Sequence, residues 1–134
     1  MGLRMEKYSA NATQIADFLL TCPNVKKVYY PTLNDHPDAQ IHKKQATSGG
    51  AVLSFEVSSQ AVLENVIDKI QLPILAVSLG GVESILSHPA TMSHACLSQE
   101  ECEKQGVTNN LLRLSCGIED VQDLLEDLKQ ALQC

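Results

Sequence analysis

"LLRLSCGIED", residues 111–120, reads as a buried strand that runs out toward a helix, and it carries one residue a buried strand does not want. Leu111, Leu112, Leu114, Cys116 and Ile118 suit a core. Arg113 does not: a guanidinium keeps its charge inside a protein, so a buried or half-buried arginine needs an anionic partner. The chain has only two arginines, Arg4 and Arg113, and one of them sits in this apolar run. Two readings are open. Arg113 reaches water at a sheet edge or pairs with a carboxylate of the protein, or it forms a bidentate clamp on a ligand carboxylate or phosphate, the geometry arginine favours.

Downstream of the strand, Val121, Leu124, Leu125, Leu128 and Leu132 stripe a final amphipathic helix, with Glu119 and Asp120 at its dipole-positive start. Upstream, Tyr8, Ala12, Ile15, Ala16 and Leu19 share one face of a helix within residues 3–20. "VKKVYY" (25–30) reads as a strand ending at Pro31. "NDHPDAQIHKKQ" predicts a helix capped by Asn34 or Asp35 with a proline in its first turn. "AVLSFEV" (51–57) alternates, with Ala51, Leu53, Phe55 and Val57 on the covered face. Val62, Leu63, Val66, Ile67 and Ile70 return at helical spacing, and "ILAVSLGG" (74–81) predicts a buried strand ending in two glycines. "SQEE" (98–101) matches a capping box, opening a short helix that Gly106 ends. Strands and helices mix without strict β-α-β alternation. The economical architecture is one α/β domain of the α+β two-layer type: a small, mostly antiparallel or mixed sheet with amphipathic helices on one face.

Composition narrows the function. A chain of 134 residues with net charge −6 lacks the clustered basic surface that nucleic acid requires. No apolar run approaches a membrane span, and the N-terminus has no signal-peptide core. Five cysteines, Cys22, Cys96, Cys102, Cys116 and Cys134, read as free thiols in a reducing cytoplasm. His88, His94, Cys96 and Cys102 fit no zinc spacing, and no metal site is expected. The neighbours His94 and Cys96 are badly placed to act as base and nucleophile. "AVSLGGVES" (76–84) supplies a hydroxyl, Ser78, beside glycines that permit close backbone approach. It is not a phosphate loop, since neither GxGxxG nor GKS/T is present.

"AVSLGGVESILSHPATMSHA" (76–95) and "GVTNNLLRLSCGIEDVQDLLEDLKQAL" (106–132) resemble the C-terminal domain of the cystathionine synthase and lyase family, the pyridoxal-phosphate enzymes of cysteine and methionine metabolism. "GLRMEKYSANA", "VKKVYYP", "HPDAQIHKKQ" and "GGAVLSFEV" are similar to the segment leading into that domain, so the likeness covers essentially the whole chain in order. It implies that residues 1–134 form the C-terminal domain of a fold-type I enzyme, with residues 1–20 the remnant of a long interdomain helix. It also implies roles. Arg113 would grip the α-carboxylate of an amino-acid substrate, Ser78 would lie beside the same carboxylate, and Leu79 would contribute backbone. A charged bidentate contact is useful there because the bond to be broken must align with the cofactor's π-system.

None of the eight lysines sits in the family's Schiff-base context, and the phosphate loop, stacking tyrosine and pyridinium-pairing aspartate have no match. The resemblance therefore implies a fragment without catalytic or cofactor-binding residues of its own: pyridoxal phosphate in the parent enzyme, none bound to this chain. Val77 stands where several family members carry an acidic residue. An apolar side chain cannot pair with the distal ammonium of cystathionine, which tilts the expectation toward a cystathionine β-lyase or γ-lyase type of carbon–sulfur lyase over a cystathionine γ-synthase. A stand-alone amino-acid-binding module is the rival from another class. The expected partners are a small thioether amino acid, further copies in a homotetrameric parent, and weak self-association of the fragment, with neither nucleic acid nor membrane.

Overall fold

In the computed structural model, which describes residues 1–134, the apolar stripes close on one face of a five-stranded sheet. The elements run α1 (Gly2–Thr21), β1 (Val25–Tyr29), α2 (Ala39–Gln45), β2 (Val52–Val57), α3 (Gln60–Lys69), β3 (Ile74–Leu75), β4 (Ile85–Ser87), α4 (Gln99–Lys104), β5 (Leu111–Ser115) and α5 (Val121–Leu132). The strand order is β1-β2-β5-β4-β3. All pairings are antiparallel except β3 with β4. The sheet is mixed and mostly antiparallel, as expected, and "LLRLS" is its central strand.

Register sorts the side chains of β5 between two faces. Leu112 lies opposite Phe55, and Leu114 lies opposite both Leu53 and Leu86. These five are completely or almost completely buried, together with Ile15 and Leu19 of α1, Leu63 and Val66 of α3, and Leu124, Leu128 and Leu132 of α5. Burying a side chain of this size is worth about 1.5–3 kcal/mol relative to leaving it in water, so the α1–α3–α5 layer holds the sheet's covered face. The intervening residue, Arg113, faces the other side with its cross-strand neighbours Ser54 and Ser87.

Of the three helix starts that the sequence marks with capping or dipole residues, two follow the pattern and one does not. Ser98 and Glu101 form the capping box of α4 in full, and Asp120 caps α5 by accepting from the Gln122 N–H. α2 starts later than Asn34 or Asp35 suggested: residues up to Asp38 form turns, and the Asp38 N–H is taken by the His36 Nδ1. "ILAVSLGG" is also corrected. Its strand is the two-residue edge β3, with Ile74 and Leu75 both exposed, and the chain then leaves the sheet and loops back across it. The buried strand is β4, within "SILSH", whose three residues are too few for a period-2 pattern to show.

The thiol expectation is corrected as well. Cys22, at the C-terminal cap of α1, is joined to Cys134 in a disulfide with Cα atoms 5.6 Å apart, and Cys96, Cys102 and Cys116 remain free. The Asn24 amide donates to the Leu132 carbonyl at 2.8 Å and brings the same two segments together. With 112 residues between the two cysteines, no local spacing reveals the pair. In the chain-entropy account, closing a loop that long restricts the unfolded chain by about 4–5 kcal/mol.

Candidate functional site

On the sheet face away from the helices, residues 76–84 form a loop over β4 and β5. The Ala76 N–H donates to the Leu86 carbonyl, the Gly80 N–H to the Ser115 hydroxyl at 3.0 Å, and the Ile118 N–H to the Val82 carbonyl at 2.9 Å. Ser84 closes the loop. Its N–H and hydroxyl donate to the two oxygens of the Glu119 carboxylate at 2.6 and 2.8 Å, and its hydroxyl accepts from the Gly117 N–H at 2.8 Å. From α1, the buried Asn11 amide donates to the Gly117 and Glu119 carbonyls. Glu119 thus spends its carboxylate on the loop as well as flanking the start of α5.

Gly117 has no room for a side chain in this network. A Cβ there would overlap the Val82 carbonyl oxygen and the Glu119 carboxylate and lie 2.6 Å from the Glu83 carbonyl carbon. Backbone cannot yield as a flexible side-chain tip can. Gly117→Ala is therefore expected to destabilise the fold by about 1–3 kcal/mol through overpacking, read as a lower denaturant midpoint at unchanged slope. A midpoint equal to that of the unaltered chain would show that the loop gives way freely.

Arg113 lies under this loop, half-buried. Its Nη2 donates to the Val77 carbonyl, the Ser78 carbonyl and the Ser87 hydroxyl, each at 3.2 Å. All three acceptors are neutral, and Nη1 makes none of these bonds. Nε is buried without a hydrogen-bond partner. The open-face carboxylate of β2, Glu56, is engaged elsewhere, accepting from Thr108 at 2.5 Å and from Tyr29 at 3.3 Å. Arg113 is thus a partly desolvated cation held by dipoles, with donors unspent and no carboxylate bonded to it. A group of this kind has donors left over for an anion, the geometry arginine favours.

The structure brings Arg113, Val77 and Ser78 together through their backbone and guanidinium contacts. The side chains of Val77, Ser78 and Leu79 are exposed, with Val77 62% and Leu79 53% accessible. They continue an exposed apolar strip that includes Leu72, Ile74, Leu75 and Val82. Ser87, Ser115 and the Ser84–Glu119 pair were not singled out from the sequence. No local pattern marks them: Ser84 and Ser87 bracket two apolar residues in "SILS" (84–87) without a strand period, and Ser115 and Glu119 are brought to the loop by the fold.

The other chemistry considered for the chain finds no support in the geometry. His88 is buried and fully used, with Nδ1 2.8 Å from the Thr91 hydroxyl and Nε2 2.7 Å from the Asn109 carbonyl. Cys102 is buried, with its thiol directed at the His94 carbonyl. No group of three or more His, Cys, Asp or Glu residues is arranged to hold a metal. Burial, and secondarily Glu119, pushes the Cys116 thiol up to about 12, so it stays protonated and is no nucleophile. No helix is long and apolar enough to cross a membrane.

Known proteins resemble the chain along nearly all of its length. The model of the Cys/Met metabolism PLP-dependent enzymes matches residues 1–133. Cystathionine beta-lyase MetC of Bacillus subtilis (strain 168) is 53% identical over 133 residues, covering 99% of this chain and 34% of that protein. The crystal structure of cystathionine gamma synthase from Xanthomonas oryzae pv. oryzae in complex with cystathionine superposes with a TM-score of 0.94 at 39% identity, covering 98% of this chain and 34% of that one. A putative O-acetylhomoserine (thiol)-lyase from Campylobacter jejuni, solved with a pyridoxyl-lysine phosphate, gives a TM-score of 0.94 at 40% identity over 99% of this chain and 32% of that one. The chain spans about a third of the length of these relatives, and with a mixed α/β fold that matches theirs it belongs to the Cys/Met metabolism PLP-dependent enzyme family.

Proposed function

We propose that residues 1–134 are the C-terminal domain of a pyridoxal-phosphate-dependent carbon–sulfur lyase, and that Arg113 binds the α-carboxylate of its amino-acid substrate. The observation that carries this reading is the half-buried guanidinium with neutral partners only and an orphaned Nε. Ser78 and Leu79 border the carboxylate position by backbone and exposed side chain, and Val77 faces the remainder of the substrate. Cystathionine or a related thioether is the substrate class, in keeping with the names of the relatives. Val77 is apolar and exposed, so it offers no counter-ion to a distal ammonium, which favours lyase over γ-synthase chemistry.

The residues present do not fit the whole cofactor. All eight lysines are exposed, and none takes part in the bonds around Arg113. A lysine that forms an imine at neutral pH is a desolvated one. The imine lysine and the phosphate site therefore belong, in this proposal, to the two thirds of the relatives that this chain does not span. In the same proposal α1 is part of the helix joining the two domains, the apolar strip from Leu72 to Val82 faces the rest of the enzyme, and the complete protein is a cytoplasmic homotetramer.

The assay is cleavage of cystathionine by the complete protein with identification of the keto acid. Scission on the three-carbon side releases pyruvate, and scission on the four-carbon side releases 2-oxobutyrate. Pyruvate is the expected product. Formation of cystathionine from cysteine and an activated homoserine, with no keto acid, would make the protein a γ-synthase. Cystathionine binding without turnover by a protein holding no imine lysine would make it a binding module.

A further inference from the structure

We propose that Ser87 is a positioning residue that aims Arg113, an inference that rests on the carboxylate-clamp reading of Arg113. Ser87 sits on β4 directly opposite Arg113 of β5 and is buried. Its hydroxyl has one hydrogen, and that hydrogen is given to the Ala76 carbonyl at 2.5 Å. Only lone pairs remain to face Arg113, so Ser87 can act on the guanidinium solely as an acceptor, and it does so at 3.2 Å. One hydroxyl therefore ties the first residue of the 76–84 loop to the strand and holds Nη2 at the same time.

Two hydrogens on Nη2 are shared among three acceptors. Two of these, the Val77 and Ser78 carbonyls, are carried by the loop that Ser87 anchors. Removing the hydroxyl deletes the third acceptor and loosens the other two. An arginine has several rotatable bonds, and Nε stays buried without a partner only while Nη2 is held. Unpinned, the side chain gains freedom and water reaches Nε. The consequence for binding is loss of preorganisation, since a fork that must be ordered by its ligand binds that ligand less well.

The chain's two arginines make the test direct. The side-chain Nε–H of Arg113 and that of Arg4, which lies exposed on α1, give two nitrogen–proton resonances, assigned by the Arg4→Lys variant. Ser87→Ala is expected to speed solvent exchange of the Arg113 Nε–H by about tenfold, the equivalent of one neutral hydrogen bond. Arg4 exchange and the backbone amide protection of β2 and β5 should not change. Ser87→Thr, which keeps the hydroxyl, should restore slow exchange, a rescue that a packing role alone would not predict. Unchanged Arg113 exchange in a folded Ser87→Ala chain overturns the proposal. Should that variant fail to fold, Ser87→Cys, close in volume but a weak acceptor, is read the same way: accelerated exchange supports the proposal and unchanged exchange overturns it. Titration with acetate against matched chloride tests the underlying reading separately. A shift of the Arg113 resonance confined to acetate supports the carboxylate site, and equal shifts remove that site while leaving the exchange result for Ser87 to stand or fall by itself.

Discussion

In the complete enzyme, Arg113→Lys is expected to lower kcat/KM for thioether amino acids by roughly 30- to 160-fold, equivalent to about 2–3 kcal/mol of lost transition-state stabilisation. The charge survives this substitution, so the effect isolates the fork. Arg113 can hold the Val77 and Ser78 carbonyls through Nη2 and still present further donors to an incoming carboxylate. A lysine ammonium is a single point with three donors. If it satisfies the loop carbonyls it has little left for the ligand, and if it turns to the ligand it abandons the loop. The deficit should be larger for amino-acid substrates than for analogues lacking the carboxylate, because only the former use the lost contact. A melting temperature close to that of the parent would show that the loop is still in place. Unchanged kinetics for amino-acid substrates would take Arg113 out of the site.

How far the site could be read in advance follows from how local each signal is. The covered face of α1 and the alternation of β2 are periodic over four or more residues, and Tyr8, Ala12, Ile15, Ala16, Leu19, Leu53, Phe55 and Val57 are all buried as their spacing required. Arg113 was legible because a lone charge in an apolar strand is costly unless something compensates it. Its partners were not. Ser87 contributes a hydroxyl from a three-residue strand, and which arginine it faces is set by sheet register across 26 residues of sequence. Glu119 beside a helix start looked like a charge for the dipole, an effect of a few tenths to about 1 kcal/mol, whereas tertiary structure offered it two short hydrogen bonds from Ser84. The apolar run "ILAV" misled because a chain piece can be hydrophobic for a surface as well as for a core. Ile74, Leu75 and Val77 are exposed here, and in the arrangement proposed above their strip faces the rest of the enzyme. The tie between Cys22 and Cys134 was invisible for the plainest reason, distance along the chain.

A polypeptide of these 134 residues is expected to unfold in one cooperative transition, yet after incubation with pyridoxal phosphate and removal of the excess it should retain no stoichiometric imine band and release no keto acid from cystathionine. Cooperative folding follows from one continuous core shared by α1, α3, α5 and the sheet. The blank spectrum follows from the lysines. A lysine that keeps an aldehyde as an imine is one held in a desolvated pocket, and all eight lysines here lie exposed. Any adduct at Lys7, Lys26, Lys27, Lys43, Lys44, Lys69, Lys104 or Lys129 should be weak, scattered and washed away. Arg113 alone cannot retain the cofactor either, since a half-buried guanidinium beside three neutral acceptors grips one anionic end and leaves the ring unsupported. Borohydride reduction before mass analysis gives the sharper reading. A single modified lysine at full occupancy would mean that the chain carries a cofactor site of its own, and the division of labour proposed between this domain and the rest of its relatives' length would fall. Partial modification spread over several lysines is the expected pattern.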